Sequence, residues 1–208
     1  MQLIIGDKNY SSWSLRPWLL MTYFRLAFEE ICIPLYSPKT SSLIKEYCPS
    51  NKVPVLNDGN LVIWDSLAIC EYINEKYLSG RAYPNDIEQR ALARALVAEM
   101  HSGFVNIRSQ MSMDILARDK VFDKKTVELV KEIERIDEIF SNAKGEFLCG
   151  DFGIVDCFFA PIAFRFRSFN VQLSDKSLQY QKTLLALPSV QQWERGAFEE
   201  MTILSKLE

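Results

Sequence analysis

Asn51-Lys52-Val53-Pro54-Val55-Leu56-Asn57-Asp58-Gly59-Asn60-Leu61-Val62-Ile63-Trp64-Asp65-Ser66 is the stretch that decides the fold. Two short β-rich runs, Val53 to Leu56 and Leu61 to Trp64, flank Asn57-Asp58-Gly59-Asn60, whose Asp-Gly pair signals a hairpin. They should pair antiparallel. A helix should follow at once, with Asp65 at its mouth as a capping carboxylate and Ile69, Tyr72, Ile73 and Tyr77 at helical spacing from Ser66 onward. A β-β-α unit is complete by about Leu78.

Upstream, Gln2 to Gly6 is an apolar run ending in glycine and reads as a buried strand, followed by a polar loop from Asp7 to Ser12. The next helix has Ser14 as a candidate N-cap, Pro17 in its first turn, and Leu15, Trp18, Leu19, Tyr23 and Leu26 at helical spacing. Phe28 to Leu35 returns as a strand, so a parallel β-α-β unit precedes the hairpin. Residues 1–79 are therefore expected to form an α/β domain. Downstream, the turn-rich stretch from Ser79 to Asp86 has no periodicity, and 87–208 reads as an all-α domain. Leu92, Leu96, Met100, Gly103, Phe104, Ile107 and Met111 mark one long helix there, and Val127, Val130, Ile133, Ile136 and Phe140 a second. Ile154 to Arg167 is apolar nearly all round and should lie in the middle of the bundle.

Composition narrows the function. A chain of 208 residues with 48% hydrophobic content can build two cores without staples. Its net charge of −3, with both signs mixed along the chain, leaves no basic stripe for a phosphate backbone, so nucleic acid is not an expected partner. The five cysteines, Cys32, Cys48, Cys70, Cys149 and Cys157, are widely spaced and form no C-x-x-C pair, which points to a reducing compartment and to no metal site. The start reaches Asp7 too soon for a signal sequence, and the most apolar later stretch is broken by Asp156 and falls short of the ~18 residues of a membrane span. A cytoplasmic protein with no membrane partner is expected.

The residues at the joints of these elements carry a family resemblance along nearly the whole chain. Tyr10-Ser11-Ser12-Trp13-Ser14-Leu15-Arg16 resembles the serine-rich opening of zeta-class glutathione transferases, with Trp13 where that class has a cysteine. Asn51-Lys52-Val53-Pro54 resembles the superfamily's cis-proline loop, and Asp65-Ser66-Leu67-Ala68-Ile69 its acid-Ser-x-Ala-Ile motif. Gly150 to Asp156 resembles the capped start of its buried helix, with Gly153 for the usual Ser or Thr, and Pro188 to Trp193 a common C-terminal helix opening. Glu99 to Phe104 resembles a bacterial branch of the same proteins. Each motif alone is short; their order, each at an element boundary, makes the joint signal. The resemblance implies a thioredoxin-like domain followed by a helical bundle, glutathione as co-substrate, a small electrophile as second substrate, and a homodimer.

It also assigns residues. Ser11, in the loop before the first helix, can donate a hydrogen bond to glutathione's sulfur where the helix N-terminus adds positive potential; Ser12 is the alternative, and both can equally shape a turn. Val53 would present backbone groups to the cysteinyl segment, Asp65 would pair with the γ-glutamyl ammonium, and Ser66 would take its carboxylate. Lys39 and Lys52 flank the expected glycyl carboxylate, though exposed lysines often only solvate a surface. Trp13, His101, Phe104, Arg108 and Met111 are candidate walls of a second-substrate pocket, the last four on helix positions that serve a core or surface just as well. Arg167 opens a stretch that resembles one in which a zeta-class arginine faces acidic substrates, a place where a cation also suits a helix C-terminus.

Three functions are open at this point. The first is glutathione transfer, in which the thiolate attacks an electrophile, with a zeta-like isomerisation of the maleylacetoacetate type as its variant. The second is glutathione binding without catalysis. The third, a thiol oxidoreductase, normally needs a cysteine where Ser11-Ser12-Trp13 stand.

Overall fold

A computed structural model describes residues 1–122 and 124–204; the end of the expected second domain, 205–208, lies outside the described residues. Four strands, β1 (Gln2–Gly6), β2 (Glu29–Ile33), β3 (Val55–Asp58) and β4 (Leu61–Trp64), form one sheet in the order β2-β1-β3-β4. β1 and β2 run parallel with Ile4 opposite Ile31, and β3 is antiparallel to both β1 and β4, with Leu3 opposite Leu56 and Leu56 opposite Ile63. With α1 (Ser12–Tyr23) between β1 and β2 and α3 (Ser66–Lys76) after β4, this is the expected thioredoxin-like order. The hairpin turn is tighter than the sequence suggests. β3 runs on to Asp58, and Gly59-Asn60 alone connect it to Leu61, with Gly59 at a φ of 64°.

The helical half holds α4 (Ile87–Ser102), α5 (Val105–Gln110), α6 (Val127–Ser141), α7 (Ile154–Ser168), α8 (Asp175–Leu185) and α9 (Pro188–Leu204). The helix α7 is buried along nearly its whole length, as its all-round apolarity predicts, and it packs on α1 and α4 and so joins the two halves. Among the described residues no helix is long and apolar enough to cross a membrane.

Two local expectations are corrected, and one helix lies where the sequence offers no reading. The long helix expected from Leu92 to Met111 breaks at Gly103 and Phe104: Gly103 is extended, a Cβ there would sit 2.8 Å from the Glu99 carbonyl oxygen, and Phe104 is left-handed at a φ of 57°. The apolar period runs straight through because Met100, Ile107 and Met111 all reach the same core. A six-residue helix, α2 (Thr40–Lys45), has only Leu43 and Ile44 as apolar residues, too few to show a period. The N-cap of α1 is Ser11, not Ser14.

Candidate functional site

The mouth of α1 is built from hydroxyls. Ser11 Oγ accepts from the Ser14 backbone N–H at 3.4 Å and donates to Ser14 Oγ at 2.7 Å, while Ser14 Oγ accepts from the Gly6 N–H at 3.1 Å. These bonds tie the end of β1 to the start of α1. Ser12, equally buried, has no hydrogen-bond partner for its hydroxyl among the described residues.

Beside this mouth opens a cleft of about 670 Å³. Its walls include Trp13, Lys52, Val53, Pro54, Asp65 and Ser66, so residues far apart in sequence meet here in the order the motifs suggest. The Val53–Pro54 bond is cis, and Val53 lies just outside β3 with its backbone N–H and C=O in none of the described backbone hydrogen bonds. Both groups are thus open to an extended peptide. Asp65 caps α3, its Oδ1 accepting from the Leu67 N–H at 2.8 Å, and it holds a φ of 75° and ψ of 130°. Positive φ at a non-glycine residue is a costly conformation that clusters at ligand sites. The helix N-terminus and the buried Ser66 add donors for an anion.

Under the cleft sits Arg16, which the sequence gives no role beyond its place in the serine motif. It is 1% exposed, stacks on Trp13 at 4.2 Å and Phe158 at 4.5 Å, and donates only to Ser66 Oγ, at 3.4 Å. Its Nε has no partner. Burial pulls its pKa down to about 9, with Arg108 adding to the effect, which still leaves the guanidinium charged at neutral pH. A buried cation directly behind Ser66, paired with no carboxylate among the described residues, makes the α3 mouth more attractive to negative charge.

The other expected residues scatter. Lys39 is exposed at the start of α2 and does not line the cleft. Phe104 and Met111 are buried in the main core. Arg108 stacks on Trp13 at 4.7 Å and spends its donors on the carbonyls of Gly103, Met100 and His101. Arg167 is tied to Glu194 at 2.5 Å and to the Ile115 carbonyl at 2.8 Å. His101, at the end of α4, faces the cleft's rim: its Nε2 lies 3.3 Å from Asp65 Oδ2. Asn51 of the cis-proline loop also lines the cleft, and so do Leu35, Ile44, Ser50 and Trp64, to which the sequence assigns no site role.

Comparison with known proteins agrees with this arrangement. Residues 10–76 match the family model "Glutathione S-transferase, N-terminal domain". The chain is 28% identical over 173 residues to a probable maleylacetoacetate isomerase of Caenorhabditis elegans, covering 80% of this chain and 79% of that protein. Similarity to glutathione S-transferase Z2 of Arabidopsis thaliana is 28% over 178 residues, with the same coverage. Among solved structures, a glutathione transferase homologue from Burkholderia with bound glutathione superimposes with a TM-score of 0.73 at 24% identity, over 95% of this chain and 98% of that one. A bacterial maleyl pyruvate isomerase of the zeta class gives 0.73 at 20% identity, over 93% and 96%; at these identities the two structures speak for the fold. A matched N-terminal domain, relatives aligned along four fifths of the chain, and the same fold end to end lead to one conclusion: residues 10–76 form a glutathione S-transferase N-terminal domain, in a chain similar to glutathione transferases over most of its length.

Proposed function

We propose that the protein is a glutathione transferase that binds glutathione along the cleft between the α1 mouth and the α3 mouth. The observation that carries this reading is the convergence of Val53, Asp65 and Ser66 on one cleft, backed by the unpaired Arg16. Val53 hydrogen-bonds the cysteinyl backbone, Asp65 meets the γ-glutamyl ammonium, and Ser66 with the α3 N-terminus takes the adjoining carboxylate. Lys52, on the cleft wall, meets the glycyl carboxylate, while Lys39 contributes at longer range.

The thiol sits at the α1 mouth. Free glutathione is mostly protonated at neutral pH, its cysteinyl pKa being about 8.5. Ser11 is assigned as the donor to sulfur: because Ser11 and Ser14 share one hydroxyl hydrogen bond, Ser14 can take over as donor and free the Ser11 proton for the ligand. Ser12, with its hydroxyl free, is the alternative. The thiolate then attacks an electrophile held against Trp13 and the helical half, displacing a leaving group or adding across a polarised double bond. Isomerisation of an unsaturated diketo acid, the maleylacetoacetate type, is a second reading favoured by the named relatives, although Arg167, its expected carboxylate partner, is held by Glu194. Binding without catalysis is the third. Domains at 1–79 and 87–208, a homodimer and a cytoplasmic location belong to the same proposal; the exposed Leu61, Val62 and Trp64 of β4 and Ile87 and Leu92 of α4 support an assembly, and the five free cysteines suit a reducing compartment.

The test is calorimetry with glutathione, followed by turnover against a panel of aryl halides, enones and maleylacetone. Binding with conjugation is expected. Binding with turnover of maleylacetone alone selects the isomerase, binding with no turnover selects the non-catalytic reading, and no binding sinks the proposal. Light scattering should give twice the 24.0 kDa of the chain.

A further inference from the structure

The histidine at the end of α4 is the only one in the chain, and its surroundings fit a task at the cleft better than a place in a wall. Its Nε2 lies 3.3 Å from Asp65 Oδ2, the carboxylate oxygen that the α3 cap leaves unused, since Leu67 takes Oδ1. The ring is held edge-on to Trp13 at 5.3 Å and tilted on Phe158 at 6.0 Å. Its other nitrogen, Nδ1, is buried without a hydrogen-bond partner. The tautomer that suits this site carries its proton on Nε2, facing Asp65, and leaves Nδ1 bare. A second proton would place an unanswered N–H donor in a buried spot, which is costly.

Charges around the ring act in the same direction. Arg16 from α1 and Arg108 from α5 face it, and Asp65 at the start of α3 is the one acid opposite. Burial, then Arg16 and Arg108, outweigh Asp65 and the favourable end of the α4 dipole, so the imidazole titrates below its ordinary 6.5. A protonated ring would be a third cation around a single carboxylate. An ammonium brought in by a ligand would be a fourth.

We propose that His101 is a positioning residue of the glutathione site, steadying Asp65 from across the junction while neutral and competing with the ligand's ammonium for that carboxylate when protonated. The inference rests on the assignment of Asp65 to the γ-glutamyl ammonium. It makes the affinity for S-methylglutathione, whose blocked sulfur has no proton to lose, fall in the mildly acidic range, where neither that ligand's carboxylates nor its ammonium change charge. By linkage, bound glutathione must lower the pKa of His101 by as much as protonation weakens binding.

The experiment is an NMR titration of the imidazole on the unaltered protein, with and without saturating S-methylglutathione, which keeps the γ-glutamyl ammonium and removes the thiol's own titration, alongside calorimetric Kd values for the same ligand from pH 7.5 to pH 5. A lone histidine makes the signal unambiguous. The expected result is a pKa lower by about one unit in the complex, matched by about a tenfold weaker Kd at the acid end. His101→Gln, which keeps a neutral donor, should hold affinity at pH 7.5 within about twofold and lose the acid-side fall. An imidazole pKa unmoved by S-methylglutathione, or the same acid-side fall in His101→Gln, overturns the proposal. Asp65→Asn separates it from its parent: if that change leaves Kd at pH 7.5 unaltered, or if glutathione does not bind at all, the Asp65 assignment falls and this inference with it. If Asp65→Asn weakens binding and the imidazole pKa still does not move, this inference fails alone.

Discussion

Of the helices that carry an acid at their N-terminus, α3 and α7 set theirs in opposite surroundings. Asp156, in the first turn of α7, is fully buried; its Oδ1 accepts from the Leu148 N–H at 3.0 Å and the Tyr180 hydroxyl at 2.9 Å, and its Oδ2 from the Gly153 N–H at 3.0 Å. Asp65, the cap of α3, is exposed on the cleft, spends one oxygen on its own helix and leaves the other toward His101 and the cleft. The same cap chemistry is a keystone where every acceptor is filled, and a ligand contact where one is left over. Burial decides between them. Burial pushes the Asp156 carboxyl up and its hydrogen-bond donors offset only part of that, leaving it at about 6.

The comparison can be broken most directly at Asp156. Asp156→Ala strands two backbone N–H groups and a tyrosine hydroxyl in the interior, and denaturant unfolding should show a loss of roughly 3–5 kcal/mol, against about 1 kcal/mol for the cap lost in Asp65→Ala. Equal losses would mean that burial does not distinguish the two acids.

A pH series sharpens the same point. Because the folded pKa of Asp156 is raised from 3.8 to about 6, its contribution to stability is fully present below 3.8 and is lost as pH rises through about 6. Relative to Asp156→Asn, the unaltered protein should therefore gain roughly 2.5 kcal/mol between pH 8 and pH 4. A flat difference would place the carboxyl at an ordinary pKa.

At Asp65 the expected loss is in binding. Asp65→Ala should raise the Kd for glutathione roughly 10- to 150-fold by calorimetry, the worth of a bond to a charged group, and should lower kcat less because the ammonium is remote from sulfur. An unchanged Kd with the fold intact would remove the γ-glutamyl assignment.

The smallest effect is expected at the α1 mouth. Ser11→Ala should raise the pKa of bound glutathione by about one to two units, read from thiolate absorbance against pH, with little change in affinity. Ser12→Ala should do less. If only Ser12→Ala moves the pKa, the two roles are exchanged; if neither does, activation of the thiol by serine is wrong for this protein.

Much of this was legible because the informative residues sit at element boundaries. Asp65 before a helical period and Gly59 in the turn are local signals, set by which backbone groups lack partners and which residues tolerate positive φ. The break after α4 was hidden because the apolar period continues across Gly103, and α2 was hidden because six residues show no period at all. The expected pocket walls were read from one helix face, yet Phe104 and Met111 turn into the core while His101 turns to Asp65. A one-dimensional period gives the face of a helix, and what that face meets is set by its neighbours.

By itself, then, the sequence determined the order of the four strands along the chain, the hairpin, the buried course of α7 and the motif positions that bound the cleft. These follow from local backbone chemistry and from apolar spacing, which act over a few residues. Only the tertiary structure decided that Ser11 and not Ser14 caps α1, that Arg16 lies unpaired behind Ser66, that Arg167 is claimed by Glu194, and that His101 stands over Asp65. Each of these is a pairing of polar groups brought together by packing, and the partner of a buried charge depends on distances that no stretch of sequence contains.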